Sequence, residues 1–114
     1  YGGNPLATAA VCKVFEIYKA RGILEHVREL TPYLEEQLKG LMEKHSCIKE
    51  VRGIGFMQGM ELTIPVGNVV ADCLKKGLIV ISASGNVIRF VPPLVIEKEH
   101  IDTMIRILDE VLPA

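Results

Sequence analysis

Tryptophan is absent from this chain of 114 residues, aromatic residues make up only 5%, and three cysteines occur without a Cys-x-x-Cys pair. Cys12, Cys47 and Cys73 form an odd set. Cys12 and Cys73 fall within apolar helical patterns, so buried, reduced thiols are expected rather than a disulfide framework or a zinc site. That points to a reducing, cytoplasmic setting. Charge of one sign is also missing: 13 basic and 14 acidic residues are interspersed, giving a net charge of −1 and no electrostatic case for nucleic acid or an anionic membrane. No apolar run is long enough to span a bilayer, and no charged start leads into an apolar stretch with a cleavage site.

What is present is apolar. Hydrophobic residues reach 49% and charged residues 24%, more apolar surface than a single domain of this length easily buries, so a missing partner surface is expected. The chain opens at Tyr1 rather than Met, which is read as a piece of a longer protein. No internal repeat or interdomain linker is found.

Asn4-Pro5 predicts a helix start, since Asn accepts from the free N–H groups of the first turn and Pro gives up an N–H that has no partner there. The helix is expected to run to about Arg21. Leu6, Val11, Val14, Phe15, Ile17 and Tyr18 wrap most of it, as in a helix held between two layers. Gly22 suits a left-handed stop. A second helix then carries Leu24, Val27, Leu30, Leu34, Leu38 and Leu41 on one stripe, with a kink or break expected at Pro32.

Ile48 to Leu62 reads as extended structure continuing as strand, so Gly53, Gly55 and Gly59 do not form a phosphate loop, which would lead into a helix. Pro65 opens a helix with Val66, Val69, Val70, Cys73 and Leu74 inward, stopped by Gly77. Leu78 to Ile81 and Val87 to Phe90 predict a hairpin, and a last helix carries Ile101, Met104, Ile105, Leu108 and Val111. The fold class is therefore α+β, a small, mainly antiparallel sheet covered by helices.

Arg89 is the residue with the most chemistry. Strand alternation puts it on one face with Val87 and Val91 while Ile88 and Phe90 take the other, leaving one guanidinium on an apolar face. A planar donor fork of permanent charge suits bidentate capture of a carboxylate. The plainer reading is a solvated edge arginine. His26, His45 and His100 are expected at the surface or at helix ends, and no metal site is read. Asp109 and Glu110 are adjacent and diverge on a helix, and Met57 and Met60 are expected in the core.

Three motifs in order carry a resemblance: Tyr1-Gly2-Gly3-Asn4-Pro5-Leu6-Ala7, then Val51-Arg52-Gly53-Ile54-Gly55-Phe56-Met57-Gln58-Gly59-Met60-Glu61-Leu62, then Asn86-Val87-Ile88-Arg89-Phe90-Val91-Pro92-Pro93-Leu94-Val95-Ile96. Together they resemble the class-III aminotransferases, which use pyridoxal phosphate. The resemblance implies that residues 1–21 are a helix from the end of the large domain and residues 22–114 the C-terminal small domain. It implies that Arg89 binds the α-carboxylate of amino-acid and 2-oxo-acid substrates and that Tyr1, Gly2, Gly3 and Asn4 lie near the cofactor of a homodimer partner; Arg52 matches a family motif before Gly53 but is assigned a structural role. The Schiff-base lysine has no match, so the chain alone is expected to be inactive. The rival expectation is a free-standing α+β module that senses an amino acid through the same arginine.

Overall fold

The computed structural model describes residues 2–113. Helix α1 (Pro5–Ala20) starts as expected: Asn4 is extended and its Oδ1 accepts from the Ala7 N–H at 2.9 Å, with Pro5 at the first helical position. Gly22 takes φ +58°, a left-handed turn that admits glycine readily, and hands over to α2 (Ile23–Lys44).

Helix α2 runs unbroken through Pro32, so the chain does not restart at Thr31-Pro32. Proline leaves the Arg28 carbonyl without its usual donor, but packing outweighs the loss: Leu30, Leu34, Leu38 and Leu41 are all buried. Thr31 adds a bond from its Oγ1 to the Val27 carbonyl at 2.6 Å. Leu24 is exposed, and its neighbour Ile23 takes the buried place instead.

The extended stretch after α2 is a hairpin and not one continuing strand. β1 (Ile48–Ile54) and β2 (Met57–Leu62) pair antiparallel from Ile54↔Met57 onward, with Gly55 at φ +56° in the turn. Buried Gln58 closes that turn by donating from Nε2 to the Gly55 carbonyl at 2.8 Å. Helix α3 (Val66–Lys75) buries Val66, Val69 and Cys73 but leaves Leu74 exposed.

The second hairpin begins later than expected. β3 is only Ile81–Ala83 and meets β4 (Val87–Phe90) across the loop 84–86, because Leu78 to Val80 form the connection from α3. Helix α4 (Lys98–Val111) completes the chain, burying Ile101, Ile107 and Leu108.

The four strands form one antiparallel sheet in the order β1-β2-β4-β3, which with its helices is the expected α+β class. Alternation divides the sheet cleanly. Met60, Leu62, Ile88 and Phe90 face the helices in a core shared with α2, α3 and α4, while the opposite face carries no helix among the described residues. Helix α1 packs against α2 yet buries none of its own residues. Cys12 is accordingly exposed, not buried as expected, whereas Cys47 and Cys73 are buried.

The histidines follow the expected surface or helix-end placement in part. His45 caps the C-terminus of α2 but is buried, with its ring nitrogens 2.8 Å from the Asp109 carboxylate and 2.8 Å from the Pro113 carbonyl. His26 is half-buried, 2.7 Å from the Ile96 carbonyl, and exposed His100 accepts the Glu97 N–H in a capping box.

Candidate functional site

The helix-free face of the sheet is built by register. β2 pairs Gly59 with Arg52 of β1 on one side and with Arg89 of β4 on the other, and Arg89 in turn pairs with Ile81 of β3. Partners across a ladder project to the same side, so Arg52, Gly59, Arg89 and Ile81 form one row. The next row is Glu50, Glu61, Val87 and Ala83. Gly59 has no side chain, and this leaves a notch between the two arginines: a Cβ there would meet Val87 Cγ1 at 3.4 Å.

The two arginines differ in what they touch. Arg52 donates from Nη1 to Glu50 and to Glu61, both at 2.7 Å, and Lys49 holds the other oxygen of Glu61. The Glu61 carboxyl is held below its ordinary value, first by the Lys49 hydrogen bond and then by Arg52, and the Arg52 guanidinium is pushed up chiefly by its bond to Glu61. Arg89 is exposed and has no hydrogen-bond or ion-pair partner among the described residues. Its surroundings are apolar, as alternation implied, with exposed Ile54, Met57, Ile81 and Val91 on the same part of the face. Met57 thus belongs to this outer surface and not to the core expected for it, while Met60 is fully buried.

Arg89 lines two hollows. One, of about 400 Å³, lies on the open face between Arg52, Ile54, Met57, Gly59, Ser84 and Val87. The other, of about 390 Å³, is apolar and lies where Phe90 to Pro93 meet Leu78 to Val80 and α4. A free guanidinium at the junction of two mainly apolar hollows can accept a small molecule with one carboxylate and a partly apolar body.

Gly2, Gly3 and Asn4 are exposed, with Gly3 at φ +88°, and neither hollow beside Arg89 is lined by them. Tyr1 lies outside the described residues. The structure therefore brings Arg89 and Arg52 together at one hollow and leaves Gly2, Gly3 and Asn4 outside its lining. Gly59 and Glu61 escaped the sequence reading as parts of a site. Placing the turn at Gly55 would have found them, because it fixes Gly59 opposite Arg52.

The residues present do not make a complete pyridoxal phosphate site. All eight lysines are exposed, and none lines either hollow beside Arg89. No group of three or more His, Cys, Asp or Glu among the described residues could hold a metal ion, and no helix there is long and apolar enough to cross a membrane.

Comparison with known proteins supplies the family. The model of Aminotransferase class-III matches residues 1–112. The acetylornithine aminotransferase of Caldanaerobacter subterraneus subsp. tengcongensis is 44% identical over 98% of this chain and 29% of its own length, and that of Methanocaldococcus jannaschii is 43% identical over 97% and 28%. The chain thus spans somewhat under a third of the curated relatives it matches. Among solved structures, the acetylornithine aminotransferase from Elizabethkingia anophelis superposes with a TM-score of 0.89 at 26% identity, covering 96% of this chain and 29% of that one. The lysine aminotransferase from M. tuberculosis gives a TM-score of 0.83 at 25% identity, over 88% and 24%. With the family model spanning nearly every residue and the same α+β architecture in its neighbours, the chain belongs to the class-III aminotransferases.

Proposed function

We propose that this chain is the carboxylate-gripping part of an acetylornithine aminotransferase, exchanging an amino group between N-acetylornithine and 2-oxoglutarate in arginine biosynthesis. The family is dependent on pyridoxal phosphate, which supplies the electron sink for amino transfer. In this reading residues 1–21 belong to the large domain and residues 22–114 form the small one. Arg89 holds the substrate α-carboxylate. Gly2, Gly3, Asn4 and Tyr1 lie near the cofactor bound by the partner of a cytoplasmic homodimer. With no lysine placed at a cavity beside Arg89, the chain alone catalyses nothing.

One observation carries the reading: Arg89 is a cation without a partner among the described residues, set in an apolar surround and open to two hollows. Exposed Arg21 and Arg28 also lack an ion-pair partner among the described residues, on helix surfaces, so it is the apolar surround and the two hollows together with the missing partner that set Arg89 apart.

Kinetics of the full-length enzyme test it. Arg89→Lys keeps the charge but loses the fork, and is expected to raise KM for both the amino donor and 2-oxoglutarate, since one site serves both half-reactions. Arg89→Ala is expected to lose about 2–5 kcal/mol of carboxylate binding if the ion pair is desolvated on closure. Specificity constants for Arg89→Ala within about twofold of wild type would overturn the assignment.

A further inference from the structure

The segment that follows α4 is held by a histidine set between two acceptors. His45 is buried at the end of α2, with Nε2 2.8 Å from Asp109 Oδ1 and Nδ1 2.8 Å from the Pro113 carbonyl. A carbonyl has no proton to give, and the Asp109 carboxyl, held below its ordinary value first by this bond and then by Lys44, has none at neutral pH. A neutral imidazole donates from one nitrogen only, so one acceptor then faces a bare lone pair, whereas the charged ring donates to both. The proton count of His45 therefore sets how many of these bonds can be made.

The charged and titratable groups around the ring come from each element that meets there. Lys44 of α2 takes the other oxygen of Asp109 at 3.2 Å and opposes a further positive charge, and the Cys47 thiol lies 3.9 Å from the same Pro113 carbonyl. Glu110, next to Asp109 on α4, is turned to Lys76 and Arg106, each at 2.8 Å. Asp109 is thus the carboxylate that His45 answers to.

We infer that His45 is a pH-sensitive latch: the charged ring bridges Asp109 to the Pro113 carbonyl and holds the segment after α4 against the end of α2, and loss of one proton releases that segment. The bond to Asp109 is the one kept, because a carboxylate is the stronger acceptor. The last turn of α4 is then held in mild acid and frays more as pH rises through the titration of the ring, the sense that follows when the folded state favours the charged imidazole. The latch consists of contacts made within the described residues and stands whether or not Arg89 binds substrate.

Hydrogen exchange of the full-length enzyme tests it, read by mass spectrometry on a peptide covering residues 105–113 and corrected for the intrinsic pH dependence of amide exchange. Between about pH 5.5 and pH 8.5, protection of the last-turn amides is expected to fall about fivefold in wild type, the equivalent of one hydrogen bond. His45→Gln, whose amide does not titrate, is expected to show no fall and to match wild type at the high end of the range. Asp109→Asn is expected to lose the fall as well, because its amide can donate to the neutral ring and leave the other nitrogen to donate to Pro113. Level protection in wild type overturns the inference, as does a fall of the same size in His45→Gln. Should His45→Gln fail to fold, an undiminished fall in Asp109→Asn overturns it instead.

Discussion

Asp109 ties the end of the chain to the end of α2. Its carboxylate meets His45 at 2.8 Å and Lys44 at 3.2 Å, while the second His45 nitrogen faces the Pro113 carbonyl. The Asp109 carboxyl is held below its ordinary value, first by the His45 hydrogen bond and then by Lys44. A depressed folded value means that this stabilisation is present above the unfolded pKa of about 3.9 and is lost as pH falls through the lower folded value. Urea denaturation is therefore expected to find Asp109→Asn less stable than wild type at pH 6, with the gap closing below about pH 4. Sequence reasoning placed His45 at a helix end and missed its burial, because its partners stand 64 and 68 residues away and no local pattern joins them. Arg89 was the opposite case. Its apolar setting was legible because strand alternation is local.

At the scale of elements, the glycines of β1 and α2 separate cleanly. A Cβ on Gly53 would meet the Met57 carbonyl at 2.3 Å and Gln58 Cα at 2.7 Å, backbone that cannot move without disturbing the hairpin. Gly53→Ala is expected to destabilise by about 1–3 kcal/mol. Gly40, inside α2, has nothing within 4 Å of its missing Cβ. Gly40→Ala is expected to stabilise by about 0.5–1 kcal/mol, so denaturation midpoints should move in opposite directions. Helix existence was read correctly from periodicity, and so were the apolar stripes apart from Leu24 and Leu74, since burial recurs at the helical period. The miss lies where tertiary context decides: β1 and β2 separate at a turn whose two residues, Gly55 and Phe56, carry no run of turn formers.

The whole molecule is more open than its length requires. Its radius of gyration is 16.4 Å, against about 13 Å for a compact domain of this size. Its surface of 7449 Å² exceeds by roughly 1,200 Å² what a folded monomer of 12.6 kDa exposes. Much of the excess is α1, where Leu6 is 82% and Phe15 68% exposed. The isolated chain is therefore expected to self-associate, and a Leu6→Ser/Phe15→Glu variant to remain monomeric at concentrations where wild type sediments as a larger species. A wild-type chain that stays monomeric at high concentration would contradict this. The apolar surplus was visible in composition, but its location was not, because α1 shows how little it is covered only once the other elements have closed on one another.

The strand order decides what form that association takes. The sheet ends on β1 and β3, and these rims are poor templates for a further strand: β3 has three residues, and β1 has a bulge between Ile48 and Glu50 and carries Lys49, Glu50 and Arg52. Short and charged rims discourage the backbone-to-backbone addition from which fibrils grow. The surfaces left wanting cover are a helix and the flat of a sheet, which are matched by shape and side chain. A chain so exposed is thus guarded against open-ended polymerisation while staying receptive to a closed, finite assembly.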